Sequence, residues 1–218
     1  MKHIRKSDEP AALRAFRAGA NPEWTPAWEG LPGPVKRVVH QMLLRDQGWI
    51  CCYCGCRIET DDSHIEHLLP RSHFPEHALA FPNLLACCQR ALRPMEPRHC
   101  GMRKADWPDP NAAGRGLMVS PLDPGCERRF RFAGDGHVAP ANEADAGAIA
   151  TIQRLGLDID VLRACREGAI DGALEHLETL TDRELRRFMD ALLTRDDAGR
   201  LTPFCLPVAQ VLGGLVAG

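Results

Sequence analysis

The stretch WICCYCGCRIETDDSHIEHLLPRS, residues 49–72, sets four cysteines into six consecutive positions and then places His64 and His67 on either side of Glu66. Cys51 and Cys54 form one C-x-x-C turn, whereas Cys54-Gly55-Cys56 is too short to offer another pair to a tetrahedral ion. Zinc takes four soft ligands, usually from two short chelating turns that the fold brings together. The second turn has to come from Cys87 or Cys88 combined with Cys100. Between and beyond these cysteines, Pro94, Pro97, Pro108 and Pro110 argue for irregular backbone that something must pin.

The chain has 218 residues, of which 44% are hydrophobic, enough to bury a core in one large domain or two small ones. No run approaches the roughly 18 to 20 apolar residues of a membrane helix, and the start, MKHIRKSDEPAALRAFRAG, is charged throughout. A soluble, cytoplasmic protein without membrane partners is the expectation. Ten cysteines without an export signal read as thiolate ligands plus buried thiols, and Cys126, Cys165 and Cys205, each isolated, read as small buried hydrophobes. The net charge of −2 is spread unevenly, with −6 of it in residues 132–218 and +4 in residues 87–131. A chain that grips nucleic acid alone is usually strongly basic, so a partner is expected to help hold such a substrate.

Pro34 to Gln47 carries Val35, Val38, Val39, Met42 and Leu43 at helical spacing, with Pro34 suited to a first turn and Gly48 to the stop. Residues 49–60 suggest a tight knuckle and hairpin, and PNLLACC a strand or turn entering a helix. Further on, Asn142 suits a helix cap ahead of Ala146, Ile149, Ile152 and Leu155, and the helical character continues through residues 158–180. Thr181 and Glu184 form a capping box before Leu185, Phe188, Leu192 and Leu193. The expected division is a metal-rich, loop-rich segment at 1–135 and an all-helical region at 136–218.

Glu66 and His67 are neighbours, and on an extended strand they point to opposite faces. Metal-assisted phosphodiester hydrolysis needs a hard oxygen ligand, a neutral imidazole to deprotonate water and a group that orients that imidazole. Glu66, His67 and Asn83 can supply these in that order. His64-Ile65-Glu66 also matches the H-x-E of zinc deaminases, but no P-C-x-x-C follows it. A thioredoxin-like role for Cys51 and Cys54 lacks its βαβ surroundings. His73 and His77 flank a proline and suit a surface loop, while His99 beside Cys100 is a possible extra metal ligand.

Taken in order, Cys51-x-x-Cys54, IEHLLPRS, NLL with Cys88, and Cys100 with Lys104 resemble the zinc-stabilised HNH endonucleases. HCGMRK and SPLDPGCERRFRF, followed by a helical tail, extend the resemblance to the nuclease subunit of Septu-type bacterial defence systems, also found beside some retrons. The fold this resemblance implies is α+β, mostly α: a ββα-metal core braced by a four-cysteine zinc site of Cys51, Cys54, Cys88 and Cys100, with a helical C-terminal half. It also implies that Glu66 binds a catalytic Mg2+ or Mn2+, that His67 is the general base, that Asn83 orients it and that Lys104 faces phosphate. Arg71, Arg103, Arg128 and Arg129 are further candidates for backbone contacts with nucleic acid, most readily DNA. An ATPase partner subunit (PtuA-like) is implied as well. Gly101 departs from the family, which often places an asparagine or histidine there as a further metal ligand. His99, another group or extra water then has to fill that role. The alternative from another class is a zinc-braced module that binds nucleic acid or protein and cuts nothing.

Overall fold

The computed structural model describes residues 1–92, 94–108, 118–175 and 181–216, so Pro110 and the stretch 176–180 of the expected helical run lie outside the described residues. Among these, the chain is α+β and mostly helical. Helix α1 (Ala11–Ala18) precedes α2 (Gly33–Asp46), which begins where Pro34 lacks only an N–H that a first turn leaves unbonded anyway. Its buried stripe is Val39, Leu43 and Leu44; Val38, expected on that face, is 43% exposed.

Strand β1 (Ser63–His67) pairs antiparallel with β2 (Leu84–Cys88), placing His64 opposite Cys87 and Glu66 opposite Leu85. Residues 68–83 join them through two short 3-10 turns, Pro75–His77 and Phe81–Asn83. Every residue of β2 is buried, so its second edge needs hydrogen-bond partners. Gln47, just past α2, supplies them: its amide receives the Ala86 N–H at 2.7 Å and donates to the Ala86 carbonyl at 2.8 Å. The Cys52 N–H adds a 3.2 Å contact to the same carbonyl and so ties the cysteine knuckle to the strand. Helix α3 (Cys100–Lys104) then lies against β2.

A second hairpin, β3 (Phe130–Phe132) with β4 (Val138–Pro140), straddles residue 135, so the region beyond it is not wholly helical. Among the described residues, four helices follow: α4 (Ala146–Leu155), α5 (Asp160–Leu174), α6 (Asp182–Leu193) and α7 (Cys205–Val216). The largest apolar cluster runs from Met1 to Leu162, so packing is continuous across position 135. A smaller one gathers Ile170, Ala173, Val208 and Leu212. Cys126 and Cys205 are buried thiols as expected, but Cys165 is exposed.

The Thr181–Glu184 capping box forms. The cap of α4 is Asp145 rather than Asn142, whose side chain instead closes a turn onto the Ala144 N–H. Asp145 accepts from the Ala148 N–H at 3.0 Å and pairs with the Arg129 guanidinium, which draws its carboxyl down to about 2. Between the ordinary value of 3.8 and about 2 the folded chain binds fewer protons at this group than the unfolded chain does. Its stabilisation is therefore complete above pH 3.8 and lost as pH falls through about 2. Asp145→Ala is expected to cost about 1–2 kcal/mol in urea denaturation at neutral pH, and the gap from the parent should close in strong acid.

Candidate active site

Three elements bring sulfur together. The knuckle supplies Cys51, Cys52, Cys54 and Cys56, closed by the Cys51 N–H donating to the Cys56 carbonyl at 2.8 Å and by Gly55 at φ 81°. Strand β2 supplies Cys87 and Cys88 to opposite faces, and the start of α3 supplies Cys100, with His99 just before it. Two overlapping tetrads result, Cys51–Cys54–Cys56–Cys88 and Cys54–Cys88–His99–Cys100, alongside a triad of Cys51, Cys52 and Cys87. The expected set of Cys51, Cys54, Cys88 and Cys100 is thus divided between the two tetrads, which share Cys54 and Cys88.

The sulfurs of Cys54 and Cys88 are 3.9 Å apart, and those of Cys51 and Cys87 are 3.8 Å apart. Two thiolates bound to one tetrahedral zinc at about 2.3 Å stand roughly 3.8 Å from each other, so the cluster can hold a metal such as zinc. His99 Nδ1 lies 3.2 Å from the Cys100 sulfur and 3.8 Å from that of Cys88. His99 therefore belongs with the sulfurs. Donation from Cys100 holds the Cys54 thiol well below its usual range, while burial pushes Cys100 and Cys52 well above it. Crowded thiols can ionise together only against a cation, and a bound zinc would deprotonate its ligands outright.

Beside α3 lies an open cleft of about 570 Å³, lined by His64, Glu66, His67, Gly101 and Lys104 among others. Glu66 and His67 indeed diverge from β1, as their adjacency requires. The Glu66 carboxylate is 8% exposed; its Oε1 receives Lys104 Nζ at 2.8 Å and the Tyr53 hydroxyl at 3.3 Å. Burial pushes the Glu66 carboxyl up, but His64 and Lys104 outweigh it and hold it below its ordinary value, so it stays ionised at neutral pH. Lys104 also donates to the His67 carbonyl at 2.9 Å. At 3% exposed it is a buried clamp between α3 and β1, which corrects the expectation that it faces phosphate.

His67 Nε2 donates to the Ala78 carbonyl at 3.0 Å, because a carbonyl can only accept. In the neutral ring, Nδ1 then carries the lone pair. Burial brings its pKa down to about 4, so the ring is neutral at pH 7. Trp28 stands edge-on to it, ring centroids 4.5 Å apart. Among the described residues, the Asn83 side chain makes its hydrogen bonds to loop backbone rather than to the imidazole. It accepts from the Leu69 N–H at 2.7 Å and donates to the Leu69 and His77 carbonyls, both at 3.1 Å. Asn83 thus closes the loop that carries Ala78, the acceptor for His67.

The arginine candidates fare differently. Arg71 pairs with Glu29, and Arg129 with Asp145. Arg103 and Arg128 are exposed. A neighbouring groove that includes His64 is lined by Lys36, Arg37 and Arg90, which sequence reasoning did not single out. Nor did it single out Trp28 or Tyr53. Tyr53 is the only tyrosine in the chain and sits inside the cysteine knuckle, a signal that was available; Trp28 lies in an aperiodic loop and gave none.

No family model matches the chain. Over 144 residues, 63% of its length, the chain is 28% identical to a "Retron Vc95 putative HNH endonuclease" of Vibrio cholerae serotype O1 biovar El Tor, covering 65% of that protein. Over 92 residues, 41% of its length, it is 27% identical to "Septu protein PtuB" of Bacillus thuringiensis, covering 35% of it. The chain spans less than two thirds of the length of these relatives. These similarities support the resemblance to a distant family of HNH and defence nucleases. Among the described residues, no helix is long and apolar enough to cross a membrane.

Two outcomes are expected. Cys54→Ser and Cys88→Ser, which touch both tetrads, abolish the zinc measured by elemental analysis, whereas Cys165→Ser leaves it unchanged. Lys104→Met leaves the Glu66 charge buried and lowers stability by about 3–5 kcal/mol in chemical denaturation, where an exposed phosphate-binding lysine would cost almost nothing.

Proposed function

We propose that this chain is a metal-dependent HNH endonuclease that hydrolyses phosphodiester bonds of nucleic acid, DNA first, as the nuclease subunit of a phage-defence system. The observation that carries this is the His67 imidazole, neutral, with Nε2 tied to Ala78, beside an ionised Glu66 in one cleft. The names of the two relatives support the same reading.

Each residue has a distinct task. His67 takes a proton from water through Nδ1, while the Ala78 hydrogen bond fixes the tautomer and Trp28 fixes the ring plane. Asn83 is a positioning residue, since it holds the loop rather than the ring. Lys104 and Tyr53 keep the Glu66 carboxylate charged and turned. Glu66 would hold a Mg2+ or Mn2+, which supplies charge against the scissile phosphate. The Cys54–Cys88–His99–Cys100 tetrad fits a structural zinc that would set α3 against β2, with Cys51 in the tetrad that overlaps it. Lys36, Arg37 and Arg90 can take backbone phosphates along the adjoining groove, and the exposed Arg103 and Arg128 can contribute.

The chain as a whole carries −2, so an ATPase partner subunit is proposed to share the hold on the substrate. The test is plasmid cleavage with Mg2+ or Mn2+, with and without that partner. His67→Ala should fall by about 10²–10⁴-fold, the usual worth of a general base, with folding and zinc content intact. Parental cleavage by His67→Ala would refute the assignment. Asn83→Ala should lose activity together with the order of residues 68–80, read by amide hydrogen exchange.

A further inference from the structure

Beyond helping to keep the Glu66 carboxylate charged, His64 has no part in the proposed reaction. It precedes Glu66 by two positions on β1, so both side chains leave the same face of the strand. Its Nε2 stands 3.6 Å from Glu66 Oε2, too far for an ordinary hydrogen bond. Its Nδ1 is buried with no hydrogen-bond partner among the described residues. Neither nitrogen makes a hydrogen bond of normal length, and Nε2, the nitrogen that faces Glu66 Oε2 across the cleft, is the one that a cation shared with that carboxylate would complete.

The facing element cannot provide that completion. Gly101 is the residue of α3 that points here, and a Cβ on it would lie 2.7 Å from Glu66 Oε2, 3.0 Å from His64 Nε2 and 3.1 Å from the Cys87 sulfur. The space a larger residue would use is already filled by the two donors themselves. Glu66 divides its oxygens accordingly: Oε1 is occupied by Lys104 and Tyr53, and Oε2 is turned toward His64. Two donors to one small divalent cation, each bound at about 2.0–2.2 Å, cannot be more than about 4.2 Å apart. The 3.6 Å separation meets that condition.

We infer that His64 Nε2 and Glu66 Oε2 together bind the divalent cation of this cleft, His64 taking the place for which α3 has no side chain at Gly101. This rests on the nuclease reading of the same site and adds to it a choice of metal. Mg2+ keeps an all-oxygen shell and gains little from an imidazole, whereas every first-row transition ion gains more, Mn2+ least among them, so the site favours Mn2+ over Mg2+ and later ions over both. The Lys104 charge on the far oxygen opposes any cation, which raises the value of a second protein donor.

The test uses the full chain and Mn2+ alone, followed by electron paramagnetic resonance. Pulsed spectra of the parent should show nitrogen coupling from a histidine ligand, changed by 15N-histidine labelling. The coupling should persist in His67→Ala and vanish in His64→Gln. Mn2+ affinity should fall at least about tenfold in His64→Gln, on the order of what losing even a supporting partner costs a metal site, while Mg2+ affinity, measured by competition, changes less. If Mn2+ binds in a Glu66-dependent manner but the parent lacks histidine coupling, or His64→Gln retains it, the role of His64 is overturned and the carboxylate site stands. If Glu66→Gln binds Mn2+ as the parent does, or the parent binds none, both fall together.

Discussion

A carboxylate taken out of water must be met by positive charge or lose its own. At Glu66 that demand organises the centre of the molecule, because the charge that meets it comes from Lys104 on a separate element. The same ammonium group reaches the His67 carbonyl, so one side chain joins α3 to two successive residues of β1. Strand, helix and carboxylate are thereby fixed together. Tyr53, arriving from the cysteine knuckle, adds a third element to the same oxygen.

Strand β2 serves two chemistries. Its alternating faces send Cys87 toward Gly101 and Cys51, and Cys88 toward Cys54 and His99. The sulfur cluster meets the start of α3 at Cys100, and the end of the same helix presents Lys104 to Glu66. A five-residue helix is far too short to be stable by itself. Its position is set by what binds its first residue and what its last residue binds.

The His67 imidazole is organised at a distance. The Asn83 side chain spends its three hydrogen bonds on loop backbone, and the benefit reaches His67 through Ala78. The charged surface is arranged by a similar economy of contacts. Arg71 and Arg129 are engaged by Glu29 and Asp145, the latter tying the segment before β3 to the cap of α4, whereas Lys36, Arg37 and Arg90 come together from α2 and the turn after β2.

What local spacing encodes could be read directly. Cys51-x-x-Cys54 is a chelating turn because two thiols three residues apart can reach one ion, Pro34 opens α2, and Thr181 with Glu184 makes a reciprocal cap within four residues. Glu66 and His67 diverge because adjacent residues on any strand do. What could not be read were the choices among equivalent partners: Asp145 over Asn142 as cap, a shared pair of cysteines between two tetrads, Lys104 buried on Glu66 instead of exposed, and His64 beside the space at Gly101. The sequence by itself determined which groups are present and how neighbours on one element are oriented. Only the tertiary structure decided which of them meet, since electrostatic and ligand contacts depend on distances between elements that lie tens of residues apart along the chain.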